Sequence, residues 1–225
     1  RTKEKLPTFA TINDWWYPVR LSCEQCSSEI TAKYKAQLIK GLHFDTLIDL
    51  TAGYGVDTYF MSQSTIHAHY IERNQDLCQI AEHNFRLTPT NIQVHNTTTE
   101  EFLASETNIE YPALFFIDPA RRGKGGNKVF LLEDCEPNVI SLIPTLLAKA
   151  QAVLIKLSPM LDITAALRAL TDALHTRDIH CEVHVVAVQN EVKEVLIFFY
   201  NVRYHSVITP KGYRGDTEPL IHAVN

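Results

Sequence analysis

Length, composition and charge limit what this chain can be. Its 225 residues, 45% of them hydrophobic, suffice to bury the core of one compact domain. The formal net charge of -5 excludes a basic field over the whole surface, so an RNA substrate would need a local basic patch or a further domain. No apolar run approaches the roughly 20 residues of a membrane-spanning helix. The chain has five cysteines, and this odd number indicates a reducing compartment. From the cysteines and the lack of a long apolar run, we expect a cytoplasmic protein that does not associate with a membrane.

Strand-like and helix-like patterns alternate along the chain. A first helix is predicted over residues 27–40, where Ile30, Tyr34 and Leu38 share one face. Strands are then predicted over 46–50, 66–71, 92–95, 113–117, 152–157, 179–188 and 195–202, and helices over 56–62, 74–87, 98–103, 137–150 and 163–174. Parallel strands need a helix-length connection, whereas the last, short connection permits only an antiparallel hairpin. We therefore predict an α/β, Rossmann-like fold with a seven-stranded, mostly parallel sheet, helices on both faces and an antiparallel last strand.

The end of the first strand is the predicted ligand site. In an open parallel sheet, ligands bind beyond the carboxyl ends of the strands, where this chain has Asp49 followed by Gly53 and Gly55. Glu72 closes the second strand about 20 residues later, the spacing at which a carboxylate meets ribose hydroxyls. Taken singly, the glycines also suit an ordinary tight turn and Glu72 a solvated surface position. Together they predict a nucleoside-containing cofactor.

A nicotinamide dinucleotide fits this pattern less well. The dinucleotide fingerprint Gly-x-Gly-x-x-Gly has a third glycine that admits close packing of the helix. The corresponding position, three residues after Gly55, is Thr58. The sequence therefore favours a cofactor with ribose and adenine but without a pyrophosphate.

Sites at the ends of four successive strands resemble those of class I S-adenosylmethionine-dependent methyltransferases. Those enzymes carry Asp/Glu-x-x-x-Gly-x-Gly after the first strand, an acid after the second, a polar residue after the third and Asp/Asn-Pro-Pro-aromatic after the fourth. The matching residues here are Asp49 to Gly55, Glu72, Asn96 and Asp118 to Arg121. A closer similarity, through residues 27–35, 118–122, 134–137 and 156–162, is to bacterial proteins assigned as methyltransferases that continue into a THUMP-like domain and look like RNA-modifying enzymes.

The resemblance implies a role for each matching residue. The methionine part of the cofactor would contact Asp49 and the glycine turn, its ribose Glu72 and its adenine edge Asn96, while Asp118 would face the sulfonium and the nucleophile. The candidate cofactor-binding residues are Asp49, Thr51, Ala52, Gly53, Gly55, Asp57, Glu72, Asn96 and Asp118, and the candidate catalytic residues are Asp118, Pro119 and Arg121. No metal is assigned, because Cys23 and Cys26 form only half of a zinc site.

The fourth site departs from the family pattern. Ala120 and Arg121 replace the second proline and the aromatic residue, which removes the stacking surface for a flipped base and disfavours methylation of a base amine. Methylation of uracil C5 is also disfavoured, because no cysteine closely follows the fourth or fifth strand. Two interpretations of the adjoining basic residues stay open: a phosphate clamp, or a solvated basic loop. The residues concerned are Arg121, Arg122, Lys124 and Lys128.

The remaining predictions concern organisation and function. Residues 1–26 are predicted to form an N-terminal arm, 27–203 the methyltransferase domain, and 204–225 a tail or a linker to a missing domain of a longer protein. Within the arm, the aromatic residues Trp15 to Tyr17 suit either base stacking or, preferably, packing against the domain. Lys156 lies either at the edge of the site or extends to solvent. The predicted function is methylation of RNA with S-adenosylmethionine. The alternatives are methylation of a protein or small molecule, and a non-catalytic module that binds this cofactor.

Overall fold

The computed structural model describes residues 2–105, 109, 112–121, 131–174, 179–201 and 220–224. The helices are α1 (Thr2–Lys5), α2 (Pro7–Ala10), α3 (Arg20–Gln25), α4 (Glu29–Lys40), α5 (Val56–Ser62), α6 (Gln75–Arg86), α7 (Thr99–Ser105), α8 (Val139–Lys149) and α9 (Ile163–Ala173), with a 3-10 turn at Leu132–Asp134. The strands are β1 (Thr46–Asp49), β2 (His67–Glu72), β3 (Ile92–Asn96), β4 (Ala113–Ile117), β5 (Ala120–Arg121), β6 (Cys135–Glu136), β7 (Ala152–Leu157), β8 (Ile179–Val188), β9 (Glu191–Asn201) and β10 (Leu220–Val224). Each predicted element of 27–202 is present within a few residues of its predicted bounds.

Polar caps explain where several helices begin. The Ser28 side chain accepts a hydrogen bond from the Thr31 N–H at the start of α4, and Asn74 accepts from two N–H groups at the start of α6. Thr98 and Glu101 form a capping box at the start of α7, because Thr98 Oγ1 accepts from Glu101 N and Glu101 Oε2 accepts from Thr98 N, both at 3.2 Å. Among the described residues, no helix is both long and apolar enough to cross a membrane.

The chain divides into two compact units, Arg1–Ala113 and Leu114–Asn225. In the first unit, β2 pairs in parallel with β1 and with β3. The register places Asp49 opposite Tyr70 and Glu72 opposite Asn96. The sequence-predicted residues at the ends of these three strands are therefore neighbours at one edge of the sheet.

In the second unit, β9 lies between β7 and β8 and is antiparallel to both. The short connection between 188 and 191 requires this direction relative to β8. β4 pairs in parallel with β7. A separate two-residue ladder joins β5 to β6 and pairs Ala120 with Glu136. The backbone immediately after Asp118-Pro119 is therefore held by hydrogen bonds, which the sequence did not predict.

The strand order is β1-β2-β3 in the first unit and β10-β8-β9-β7-β4 in the second. The seven predicted strands are present with the last of them antiparallel, and the predicted Rossmann-like fold is confirmed. One difference is an eighth strand, β10, which pairs in parallel with β8 inside the segment predicted as tail or linker. Its five residues follow a polar stretch and carry no local signal beyond a short apolar run, so only pairing with β8 reveals the strand.

The N-terminal arm, residues 1–26, packs against the rest of the first unit. Trp15 is buried among Leu6, Phe9 and Tyr59, and its ring stacks on Phe9 with centroids 4.2 Å apart. Trp16 stacks on His83 at 3.8 Å but remains 47% exposed. The packing interpretation of these aromatic residues is therefore confirmed.

Candidate cofactor-binding site

Asp49, the last residue of β1, is completely buried and is held by two donors. Its Oδ1 accepts from Thr51 N at 3.2 Å, and its Oδ2 accepts from Thr58 Oγ1 at 2.6 Å. Thr58, at the position of the missing third glycine, therefore orients this carboxylate. A buried carboxylate with two hydrogen bonds has a fixed orientation and a negative charge that water screens little.

The turn after Asp49 needs its two glycines. Gly53 and Gly55 have φ of +55° and +82°, a region that other residues rarely adopt. A Cβ atom at Gly55 would also lie 2.8 Å from Phe85 Cζ and 3.1 Å from Tyr70 Cε2, whereas one at Gly53 would meet nothing closer than 4.0 Å. Gly55 is thus required by both conformation and packing, while Gly53 leaves open space.

Three hydrogen bonds join this turn to residues of β2. Glu72 Oε2 accepts from Gly53 N at 3.0 Å, and the Tyr70 hydroxyl donates to the Gly53 carbonyl. Ala52 N donates to the Ile71 carbonyl at 3.0 Å. Burial, reinforced by the charge of Glu72, raises the pKa of Tyr70 well above its ordinary value, so its hydroxyl stays a donor. The turn is therefore preorganised before any ligand arrives.

Glu72 is held by backbone on both sides of its carboxylate. Its Oε1 accepts from Asn74 N at 2.8 Å, in addition to the bond between Oε2 and Gly53. Each carboxylate oxygen has two lone pairs, so two acceptor positions remain after these bonds. The arrangement suits a pair of adjacent hydroxyls such as those of a ribose.

Asn96 lies beside Glu72 at the end of β3. Its Nδ2 donates to the carbonyls of Glu72 and Arg73, at 3.0 and 3.1 Å. These bonds leave the side-chain oxygen as the group that a ligand would use. Contact with an adenine edge stays a prediction for this residue.

Asp57, in the first turn of α5, binds other side chains of the protein. Its carboxylate accepts from Ser27 Oγ at 2.6 Å and pairs with the fully buried Lys35 at 3.1 Å. The structure therefore gives Asp57 a part in anchoring α5 to α4, and its predicted contact with a cofactor stays a prediction.

In the second unit, Asp118 follows β4 and forms an ion pair with Lys156 of β7. Lys156 is largely buried and Asp118 is partly exposed. Of the two alternatives for Lys156, the one at the edge of the predicted site agrees with this contact. Pro119 is buried next to the pair, and Ala120 is exposed.

Other predicted residues lie outside the described part of the chain. These are Arg122, Lys124, Lys128 and the side chain of Arg121. The phosphate clamp and the solvated loop both stay open. Sequence reasoning missed Thr58 and Tyr70, because a threonine in a helix and a tyrosine in a buried strand carry no signal of their own.

Replacing Glu72 with glutamine is expected to weaken cofactor binding about tenfold or more. Glutamine has one acceptor oxygen, so its NH2 group could not accept from a ribose hydroxyl. One of the two backbone N–H groups that hold the turn would also lose its partner, and each such loss costs about 1–3 kcal/mol. Calorimetric titration of S-adenosylhomocysteine measures the effect. Glu82→Gln, on the exposed side of α6, is the matched control and should bind as the unaltered protein does. Equal affinities for both variants would remove Glu72 from the site.

Several solved structures resemble this chain in fold. No protein-family model and no curated protein matches the chain. A protein of Porphyromonas gingivalis W83 assigned as a methyltransferase is 33% identical, with a TM-score of 0.73 over 90% of this chain and 47% of its own. The chain thus spans about half the length of that relative.

Two further solved structures are more distant in sequence. An rRNA methylase of Streptococcus thermophilus is 13% identical, with a TM-score of 0.54 over 79% of this chain and 99% of its own. An O-methyltransferase of Bacillus cereus, in complex with SAH, is 10% identical, with a TM-score of 0.56 over 89% of this chain and 100% of its own. At such identities the likeness concerns the fold alone. The chain therefore has the Rossmann-like fold that these methyltransferases share.

Proposed function

We propose that this chain is an S-adenosylmethionine-dependent methyltransferase and that RNA is its acceptor. The observation that carries the first part is the glycine turn held between the buried Asp49 and the doubly bonded Glu72. The relative from Porphyromonas gingivalis, assigned as a methyltransferase, supports the same activity.

The described residues suit this cofactor. S-adenosylmethionine supplies a methyl group on a positively charged sulfur, which a nucleophile takes by in-line displacement. Asp49 offers buried negative charge for the ammonium group of the amino acid part, and Glu72 offers two acceptor positions for ribose hydroxyls. A dinucleotide suits the turn less, because Thr58 bonds to Asp49 where the fingerprint has its third glycine.

Asp118 and Lys156 are the proposed acceptor-side residues. An amine gains positive charge as it attacks the methyl group. The carboxylate of Asp118 would stabilise that charge and the ammonium of Lys156 would offset part of the effect, so the ion pair by itself does not disfavour an amine. The absence of the aromatic platform is what disfavours a base amine.

The choice of RNA rests on the basic residues after Asp118 and on a further domain. Arg121, Arg122 and Lys124 would contact phosphates, and we propose that the longer protein carries the THUMP-like domain of the family it resembles. The net charge of -5 favours the second candidate, methylation of a protein or a small molecule. A cytoplasmic location is proposed for either activity.

Binding is the first test. S-adenosylmethionine and NAD would be titrated calorimetrically into the purified protein. Binding of the former alone would support the proposal, whereas a preference for NAD, or no binding of either compound, would reject it.

Transfer of a labelled methyl group identifies the acceptor. The protein would be incubated with labelled S-adenosylmethionine and with RNA, protein or metabolite extracts of a bacterial cell. Label in RNA supports the proposed acceptor, and label in another fraction favours the second candidate. Binding without transfer to any extract would instead indicate a non-catalytic module, which the departures at Ala120 and Arg121 motivate.

Asp118→Asn is expected to slow transfer at least tenfold while the affinity for S-adenosylhomocysteine stays within about twofold. The substitution removes the charge paired with Lys156 but keeps the size of the side chain. Single-turnover transfer and calorimetry, done on the same preparation, separate the two effects. Asp162→Asn, which keeps a good cap for α9, is the control. Unchanged transfer in Asp118→Asn would remove this residue from the catalytic site.

A further inference from the structure

Tyr54, the residue between the two glycines, is hydrogen-bonded to the N-terminal arm. Tyr54 is only 5% exposed, and its side chain reaches the N-terminal arm instead of solvent. Its hydroxyl accepts from Trp15 Nε1 at 2.7 Å and donates to the Trp16 carbonyl at 3.0 Å. One hydroxyl therefore ties the centre of the glycine turn to two successive residues of the arm.

Other contacts hold Trp15 and Trp16 of the arm in place. Asn84 of α6 is buried and clamps the backbone of Trp16, because its Oδ1 accepts from Trp16 N at 2.8 Å and its Nδ2 donates to Trp16 O at 2.9 Å. The Trp15 ring stacks on Phe9 and meets Tyr59 edge-on. Both partners of the Tyr54 hydroxyl are thus held in place before they bind it.

The Tyr54 hydroxyl stays protonated and can keep both of its hydrogen bonds. Burial raises the pKa of Tyr54 far above its ordinary value, so the group stays neutral and keeps its proton for the Trp16 carbonyl. Its two bonds satisfy one donor and one acceptor inside the core, where an unpaired hydroxyl is costly.

The turn depends on such an anchor because glycines bring flexibility. Gly53 and Gly55 lack side chains, and their backbone would otherwise sample many conformations. Of the three residues of this segment, only Tyr54 has a side chain that reaches beyond the turn. The hydroxyl therefore holds the turn in the conformation that Glu72 and Tyr70 fix from the other side.

We propose that Trp15, Trp16 and Tyr54 form an arm latch that positions the glycine turn for cofactor binding, so that the N-terminal arm is a functional part of the cofactor site. This inference rests on the proposed function, because it assigns the latch to the site for S-adenosylmethionine. The three residues are positioning residues: they act through the backbone of the turn.

Tyr54→Phe and Trp15→Phe test the latch, with Tyr59→Phe as matched control. The first two remove the hydrogen bond between tyrosine and tryptophan and keep an aromatic ring. Tyr59 belongs to the same buried aromatic cluster but bonds to neither tryptophan. Thermal unfolding of each variant shows which of them fold, and Trp15→Phe serves if Tyr54→Phe does not.

Two readouts separate the latch from the proposed function. Without cofactor, hydrogen exchange of amides 50–56 should be about tenfold faster in both latch variants than in Tyr59→Phe. In calorimetry, S-adenosylhomocysteine should bind the latch variants about tenfold more weakly than it binds Tyr59→Phe. A purely structural role would lower the unfolding temperature and speed exchange of the slowest amides throughout the protein, not selectively at 50–56, and would leave the affinity of the folded variant unchanged.

The outcomes are distinct. Unchanged exchange and unchanged affinity in folded latch variants would overturn the latch while leaving the proposed function intact. If the unaltered protein binds no S-adenosylhomocysteine, the proposed function fails, and the latch fails with it as part of a cofactor site, whatever the exchange rates are.

Discussion

Gly55→Ala is expected to lower the free energy of unfolding by about 2–5 kcal/mol. The left-handed conformation at φ +82° costs an alanine about 1–2 kcal/mol, and crowding in a packed core adds about 1–3 kcal/mol. The new Cβ would lie 2.8 Å from Phe85 Cζ and 3.1 Å from Tyr70 Cε2. Neither ring can easily withdraw, because Phe85 is buried and the Tyr70 hydroxyl is bonded to Gly53. Urea-induced unfolding of the variant measures the loss.

Gly41→Ala is the matched control. Gly41 ends α4 with φ of -77°, and a Cβ there would meet nothing within 4 Å. Its free energy of unfolding should equal or slightly exceed that of the unaltered protein, because alanine reduces the freedom of the unfolded chain. Adding Phe85→Leu to Gly55→Ala should recover the part of the loss that is due to crowding. Wild-type stability of Gly55→Ala alone would contradict the geometry described for the turn.

Asp49→Asn is expected to weaken binding of S-adenosylhomocysteine about a hundredfold while the protein stays folded. Asparagine can keep both hydrogen bonds, because its oxygen can accept from Thr51 N and its NH2 group can donate to the hydroxyl of Thr58. The substitution therefore removes mainly the buried negative charge, which we propose attracts the ammonium group of the cofactor's amino acid part. Calorimetric affinity and thermal unfolding would be measured together.

Asp45→Asn provides the comparison for Asp49→Asn. Asp45 precedes the same strand at its amino end, away from the glycine turn that follows the carboxyl end. It should bind S-adenosylhomocysteine with unchanged affinity. Equal binding by both variants would mean that the charge of Asp49 does not take part in cofactor recognition.

Local patterns in the sequence determined the helices and strands and the location of the candidate site in the first unit. Hydrophobic periodicity and polar caps predicted the strands and helices, because both depend on residues close together in the chain. The proximity of the ends of β1 and β2, with Asp49 and Glu72, was predictable because parallel strands bring their carboxyl ends to one edge of the sheet.

Only the tertiary structure decided how the site is supported. Tyr54 and Trp15 are 39 positions apart, and Lys156 and Asp118 are 38 positions apart, so no local pattern relates them. The strand β10 likewise exists through its pairing with β8, and its own five residues do not distinguish it from a tail. Such contacts depend on which strands and helices become neighbours. The sequence alone therefore determined which side chains lie at the strand ends, and the packed fold decided which partners hold them in place.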